Sequence, residues 1–472
     1  MPLLSAAWFF AGFTRFMNKV NPEIFKAYDI RGVYGRDFGG ELARALGREF
    51  VAMIKKESGK GKPAIVVGCD MRLSSPEIKE NLIKGVTDAG ADVADIGLAS
   101  TPTFYFAVAN YRYDGGIIVS ASHNPKEYNG FKLVRERAIP VSGDSGIYGL
   151  RDKIIKNSKP ALTIKNGSAT TKAGVLAEQI KHDLKFCGFP KIKNFKIAID
   201  PANAMGAQYF DELFKHLPAD LIRMNWELNG AFPAHEADPY KEENLTQISK
   251  KIKEENADLG IATDGDGDRI FFLNEKGEAI EPGIVRAILS KIFLRENPGA
   301  KICYDIRPGR ITPDTILENG GRPVITKVGH SLIKEQAIKE GAVFAGESSG
   351  HFYAKMKFGF FDTPVIATIK ILKELSDSGQ SFSNFVKPFQ KYFHSGEINN
   401  RVKNVSEVLK KIKQAYGDAK INELDGVSIE YDDWWFNVRG SNTEPVIRLN
   451  LEARSKELMK VKRDEVLKII RE

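Results

Sequence analysis

LGIATDGDGDR, residues 259–269, joins five small or apolar residues to a loop with three aspartates at alternate positions. The apolar half reads as a buried strand, because it is short, uninterrupted and ends at a turn signal, as strands covered on both faces do. Working outward, AIVVG (64–68), GGIIVSA (115–121), KIAID (196–200), KICYD (301–305), RPVIT (322–326) and AVFAG (342–346) read the same way, with a further strand at 93–96. Helical spacing lies between them. Leu42, Leu46, Phe50, Met53 and Ile54 share one face; Ile78, Leu82, Ile83 and Val86 share another, after a start at Ser74-Ser75-Pro76-Glu77 in which Ser74 is the expected hydroxyl cap. Helices are also expected at 209–217 and 250–256. The alternation predicts an α/β protein with three units, each presenting polar loops where strands end, the place where open sheets hold ligands. The repeat is one of pattern, with no exact sequence repeat. Beyond about residue 380, SIEYDD (428–433), VIRLNLEA (446–453) and a last helix at 455–470 predict a small α+β domain. Boundaries are expected near residues 165, 275 and 380.

The 472 residues exceed what one hydrophobic core supports, which agrees with several domains. Charged residues make up 28% and hydrophobic ones 42%, a globular balance. Lys and Arg exceed Asp and Glu by 69 − 61 = 8, an excess too diffuse to argue for nucleic acid or membrane. Cys69, Cys187 and Cys303 lie far apart and form neither a metal-ligand pair nor a disulfide framework, so a reducing compartment, the cytoplasm, is expected. The apolar run PLLSAAWFFAGF (2–13) has its basic residues, Arg15 and Lys19, after it and is shorter than a membrane span. Residues 1–16 are therefore read as an N-terminal extension.

Four loops can carry chemistry. Ser122-His123-Asn124-Pro125 follows the strand GGIIVSA; its serine can carry a phosphoryl group or simply cap a turn. Asp264, Asp266 and Asp268 repel one another unless a cation compensates, and their hard oxygens suit Mg²⁺ or Ca²⁺. A calcium loop of the EF-hand type would need glycine where Arg269 stands, and Ile270-Phe271-Phe272 is strand-like, so Mg²⁺ beside a phosphate is the better fit. Gly346-Glu347-Ser348-Ser349-Gly350-His351 offers a carboxylate and two hydroxyls to vicinal sugar hydroxyls. Arg439-Gly440-Ser441-Asn442-Thr443-Glu444-Pro445 offers a guanidinium, hydroxyls and backbone N–H groups as a phosphate cradle. Arg31 and the Asp70-Met71-Arg72 run add arginines near strand ends.

Together, SASHNP (120–125), DGDGDR (264–269), GESSG (346–350) and RGSNTEP (439–445), with YDIRG (28–32), YNGFK (128–132) and KVGHS (327–331), resemble the α-D-phosphohexomutases, most closely their bacterial phosphomannomutase/phosphoglucomutase group. The resemblance runs from about Phe25 to Pro445 and beyond. It implies three similar mixed α/β domains and a TBP-like α+β domain around a central cleft. These would be a phosphoserine domain (17–165), a metal-binding domain (166–275), a sugar-binding domain (276–380) and a C-terminal phosphate-binding domain (381–472). It further implies that Ser122 is carried as phosphoserine, that Ser122, Asp264, Asp266 and Asp268 bind Mg²⁺, and that Gly346, Glu347, Ser349 and Arg307 serve the sugar. Arg439, Ser441, Asn442 and Thr443 would hold the phosphate not being transferred. Arg31, His123, Lys132, Arg269, His330 and His351 would form the rest of the catalytic set.

The implied activity interconverts hexose 1-phosphate and hexose 6-phosphate through a 1,6-bisphosphate, with glucose 1,6-bisphosphate as activator and phosphorylated hexoses as partners. A monomer or weak homodimer is expected. Arg307 stands where dual-specificity relatives usually carry lysine, and alanine follows Asn203 where many have glycine; mannose and glucose phosphates both stay open. The alternatives are a phosphoglucosamine mutase, against which SNTEP and YNGFK speak, and a non-catalytic sugar-phosphate-binding protein.

Overall fold

Three of the four sheets follow one strand plan. In the first, Ala64–Cys69 is central, parallel to Asp92–Leu98 on one side and to Gly115–Val119 on the other; Tyr128–Arg135 then returns antiparallel on Gly115–Val119. In the second, Phe195–Asp200 lies between parallel Ala219–Arg223 and Leu259–Thr263, and Ile270–Asn274 returns on the latter. In the third, Lys301–Asp305 lies between parallel Arg322–Thr326 and Phe344–Gly346, and Phe352–Lys355 returns. The connection into the antiparallel strand is thus the same turn in each unit. It holds residues 120–127, 264–269 and 347–351, which are three of the four loops singled out from the sequence. The computed structural model describes residues 20–156, 166–307, 309–440 and 446–472. The expected extension (1–16) and the boundary near 165 lie outside the described residues.

The central strands are apolar on both faces because helices cover both: Ile65, Val66 and Val67 are fully buried. One continuous core joins the three units, with Phe104, Leu184, Ile199, Phe293, Ile302 and Leu372 among its members. Each such side chain contributes about 1.5–3 kcal/mol on burial, so the three turns are held at fixed positions relative to one another. The fourth sheet is wholly antiparallel, in the order Phe393–Arg401, Val446–Ala453, Trp434–Gly440, Val427–Glu430, Lys420–Asn422. Helices Val405–Ala415 and Lys456–Arg471 pack on it around a separate core. Polar contacts dock this unit on the third. Glu452 Oε2 accepts the backbone N–H groups of Gly309 (3.1 Å) and Arg310 (2.9 Å), Asp425 Oδ2 accepts that of Val328 (3.0 Å), and the Arg310 guanidinium lies 4.0 Å over the Trp435 ring.

Several local expectations are corrected. Ser74 does not cap the helix Ser75–Asp88 through its side chain; its Oγ instead accepts a hydrogen bond from Asn129 Nδ2 at 2.8 Å. The helix expected at 209–217 spans Gly206–Leu213. The strand expected at 428–433 ends at Glu430, and a tight turn closed by Tyr431 N–H to the Trp434 carbonyl (2.9 Å) leads into Trp434–Gly440, a strand absent from the sequence reading. Tyr128–Arg135 is a further strand that the sequence pattern does not mark; six of its eight residues are buried, including Asn129 and Lys132, so there is no polar/apolar alternation. The strand-like run at 270–272 is indeed strand, and Ile270–Asn274 turns back into the strand Ala279–Ile280 instead of running into the helix that follows an EF-hand loop.

Candidate active site

In the first unit the strand Gly115–Val119 ends at Ser120, whose Oγ accepts the Ser122 N–H (3.0 Å). Ser122 is held at φ +51°, in the left-handed region that costs a residue with a Cβ, and strain of this kind gathers at functional sites. Its Oγ donates to Asp264 Oδ2 at 2.7 Å and lies 3.1 Å from His123 Nδ1. The turns of the first and second units lean directly on each other: a Cβ on Gly265 would sit 2.3 Å from the Ser122 carbonyl oxygen.

Asp264, Asp266 and Asp268 are all buried, with one oxygen of each within 4.8 Å of the others. Asp264 Oδ1 accepts the backbone N–H groups of Asp268 and Arg269, both at 3.1 Å. Asp266 Oδ2 accepts from Thr101 Oγ1 and from Lys132 Nζ, both at 2.6 Å; Lys132 Nζ also donates to Asp268 Oδ2. Asp266 Oδ1 and Asp268 Oδ1 accept no hydrogen bond from the described residues. Burial, with Asp268 and Asp266 beside it, pushes the Asp264 carboxyl well above the usual carboxylate range. Burial opposes charge on Lys132, but Asp266 and Asp268 outweigh it and hold the ammonium well above the ordinary lysine value. Burial, reinforced by Arg269, Arg31 and Lys132, drives His123 well below the ordinary imidazole value, so it is neutral. A buried set of hard oxygens with two acceptors to spare fits Mg²⁺ or Ca²⁺, and a divalent cation would offset the mutual repulsion of the carboxylates.

The third unit supplies Glu347, fixed through both oxygens: Oε1 accepts the Gly329 N–H (3.0 Å) and Oε2 the Tyr353 hydroxyl (2.6 Å). Arg307 pairs with Asp305 and reaches Ser349 Oγ (3.3 Å) and Glu347 Oε1 (3.6 Å). His351 Nε2 accepts from Arg269 Nε (3.1 Å), and its Nδ1 lies 3.0 Å from Asp362 Oδ1. His330 packs 6.1 Å from His351, ring to ring, with Nε2 3.8 Å from Asp29 Oδ2. Burial lowers the His330 pKa despite Asp29. Arg31 grips Asp29 through Nε (2.8 Å) and Nη2 (2.6 Å) and reaches Asn124 Oδ1 with Nη1 (2.8 Å).

A cavity of about 780 Å³ lies where the four units meet. Arg31 and His123 line it from the first unit, Arg269 from the second, Arg307, His330, Glu347, Ser349 and His351 from the third, and Arg439 from the fourth. Ser122, Lys132 and the three aspartates lie buried beneath that wall. Gly346 does not line the cavity; its carbonyl accepts from Arg286 Nη1 at 3.3 Å. Arg439 is buried, with Nη2 3.5 Å from Glu397 Oε2. Ser441, Asn442 and Thr443, expected in the phosphate cradle, lie outside the described residues. Sequence reasoning assigned no role to Asp29, Lys334 or Asp362, each of which holds a cleft side chain or its partner: Lys334 Nζ lies 3.0 Å from Asp362 Oδ2. Asp29 stood inside a quoted motif; Lys334 and Asp362 gave no signal, since each sits in an ordinary helix or strand pattern.

Comparison with known proteins agrees in all four units. The family descriptions that match are phosphoglucomutase/phosphomannomutase alpha/beta/alpha domain I over residues 22–161, domain II over 177–277, domain III over 283–392, and the C-terminal domain over 397–469. A phosphomannomutase of Methanocaldococcus jannaschii is 40% identical over 448 residues, covering 95% of this chain and 97% of that protein. A phosphomannomutase of Escherichia coli is 38% identical over 460 residues, covering 95% and 99%. The crystal structure of a phosphoglucomutase/phosphomannomutase family protein from Burkholderia thailandensis superposes with a TM-score of 0.85 at 32% identity, covering 95% of this chain and 97% of that one. With its four domains matched in order and relatives this similar over 95% of its length, the chain belongs to the phosphoglucomutase/phosphomannomutase family.

Proposed function

We propose that this protein is a Mg²⁺-dependent hexose-phosphate mutase that interconverts the 1- and 6-phosphates of mannose and glucose through a phosphoserine at Ser122 and a hexose 1,6-bisphosphate. The observation that carries the reading is the 2.7 Å contact of Ser122 Oγ with Asp264 Oδ2, at the edge of a buried three-carboxylate turn and beneath a cavity lined by all four units. Within it the units run 17–165, 166–275, 276–380 and 381–472.

Ser122, Asp264, Asp266 and Asp268 would hold Mg²⁺, which when bound polarises the phosphoryl group and offsets its charge. In the forward step the bond from phosphorus to Ser122 Oγ breaks, and one forms to the free sugar hydroxyl, whose proton passes to a cleft side chain. His123 and His330 are the cleft imidazoles available for it, since both ring nitrogens of His351 are held by Arg269 and Asp362, and Ser122 Oγ leaves against the positive field of Lys132 and Arg269. Glu347 and Ser349, oriented by Tyr353 and Arg307, receive the sugar hydroxyls, and Arg439 with residues 441–443 receives the distal phosphate. After the bisphosphate turns over in the cleft, the other phosphoryl group returns to Ser122. A cradle that takes either phosphate lets one site serve both half-reactions, while the burial of Ser122 limits the access of water to the phosphoserine.

The test is a coupled assay on mannose 1-phosphate, glucose 1-phosphate and glucosamine 1-phosphate, each primed with glucose 1,6-bisphosphate, with mass spectrometry of the Ser122 peptide. Turnover of the first two, with a phosphate of about 80 Da on that peptide, is expected. Turnover confined to glucosamine 1-phosphate, or a peptide that never gains the phosphate, would overturn the reading.

A further inference from the structure

We propose that Arg72 is a positioning residue for phosphoryl transfer: its guanidinium clamps the carbonyl groups of the Ser122 turn and so fixes where Ser122 Oγ points. The proposal rests on Ser122 being the phosphoryl carrier. Arg72 is 1% exposed and does not line the cleft, yet it is the hub of the turn. Nη2 donates to the carbonyls of Ser122 (2.8 Å) and Asn124 (2.6 Å), and Nη1 to those of Pro125 (2.7 Å) and Tyr128 (3.0 Å). Four carbonyl dipoles converging on one buried point repel one another unless a cation sits among them, and only a planar fork has donors directed at all four. Nε faces Asp70 Oδ2 at 3.3 Å, and Asp70 Oδ1 is in turn held by the Ser75 hydroxyl (2.6 Å) and the Arg72 N–H (3.0 Å). The open face of the guanidinium is covered by Phe232 of the second unit, 5.0 Å away. Gly230, beside it, has no room for a side chain, since a Cβ there would lie 2.6 Å from the Met71 carbonyl oxygen.

The clamp explains how a serine persists at φ +51°. Arg72 draws the Ser122 carbonyl inward while Ser120 Oγ holds its N–H, so the peptide planes on both sides of the Cα are fixed and Oγ is left facing Asp264. A change that leaves the fold intact but frees these carbonyls therefore acts on the chemical step, where an error of about 1 Å costs on the order of 100-fold, and not on the binding of the sugar phosphate.

The experiment compares Arg72→Met, the double variant Asp70→Asn/Arg72→Met, and Arg72→Lys with the wild type. It reads melting temperature, kcat and KM for mannose 1-phosphate, and the rate at which glucose 1,6-bisphosphate places phosphate on Ser122. Arg72→Met strands the Asp70 carboxylate and lowers the melting temperature; the double variant removes both charges and restores most of it. In both, kcat and the labelling rate fall about 100-fold while KM stays within about threefold. Arg72→Lys keeps the charge and the melting temperature but not the fork, and shows the same loss in kcat, which decides the matter if either Met variant fails to fold. Recovery of kcat together with stability in the double variant, wild-type kcat in Arg72→Lys, or a loss residing in KM overturns the clamp. A wild type that never acquires phosphate on Ser122 refutes the carrier role and the clamp with it, whereas normal labelling of all variants refutes the clamp alone.

Discussion

Ser122 Oγ and Asp264 Oδ2, 142 residues apart in the chain, meet at 2.7 Å across the joint between the first and second units. The contact ties the proposed phosphoryl carrier of one turn to the carboxylate cluster of another, so chemistry and docking depend on the same few ångströms.

Ser122 separates the two cleanly. Ser122→Ala and Ser122→Gly both remove the hydroxyl, and both lose essentially all turnover and the Ser122 phosphate. They differ in the backbone: at φ +51° a Cβ is strained and glycine is not, so the Gly variant is more stable than the Ala variant by about 1 kcal/mol in urea denaturation. Equal stabilities would mean the left-handed conformation carries no cost.

If the three aspartates hold Mg²⁺ as proposed, the ion is a stabiliser as well as a participant. Mg²⁺ raises the melting temperature of the wild type, and the shift is lost in Asp266→Asn, because a ligand that binds only the folded state stabilises it in proportion to its affinity. EDTA abolishes turnover, and Mg²⁺ restores it better than Ca²⁺, which is larger and less strictly coordinated. Full turnover in metal-free buffer contradicts this.

Gly265 is constrained by space alone. In Gly265→Ala the new methyl meets the Ser122 carbonyl at 2.3 Å, backbone against side chain with no flexible end to give way. Overpacking of this kind costs about 1–3 kcal/mol, and relief requires the two turns to part. A fall in kcat of at least about tenfold, out of proportion to the change in KM, is expected. Wild-type kinetics would show that the turns separate without consequence.

The dock between the third and fourth units titrates through Glu452. Burial and the neighbouring Glu281 push its carboxyl up to about 8, against the pull of the Arg310 and Gly309 N–H groups. The folded state therefore holds a proton that the unfolded state has released above the ordinary glutamate value of 4.5. Its contribution is fully present below that value and declines as pH rises toward 8. Melting curves from pH 5 to pH 8 should show the wild type losing stability with a slope that Glu452→Gln lacks. Identical slopes would assign the titration elsewhere.

Much of this was legible in the sequence. Strands such as Leu259–Thr263 and Lys301–Asp305 are short apolar runs closed by turn residues, and the turn 264–269 advertises its cation by placing three carboxylates where only a counter-ion makes them tolerable. Tyr128–Arg135 escaped notice because Asn129 and Lys132 point into buried polar sites and break the apolar run that marks a central strand. Arg72 was visible only as an arginine at a strand end. Its partners, carbonyls between residues 122 and 128, lie 50 to 56 positions away, and backbone carbonyls carry no side-chain signature. Ser74 misled because a helix-start pattern does not reveal that Asn129 competes for its hydroxyl.

The shared position of the three turns, each between the last parallel strand and its antiparallel neighbour, bears on how activity emerges during folding. Every turn is closed within its own unit by a short connection, so each takes shape as soon as its sheet forms, at little loop-closure entropy. Yet under the proposed mechanism no unit owns a working fraction of the chemistry: the serine, the carboxylates and Glu347 come from different sheets. Catalysis therefore appears in one step, when the units dock, and a partly assembled chain has nothing with which to waste a phosphoryl group.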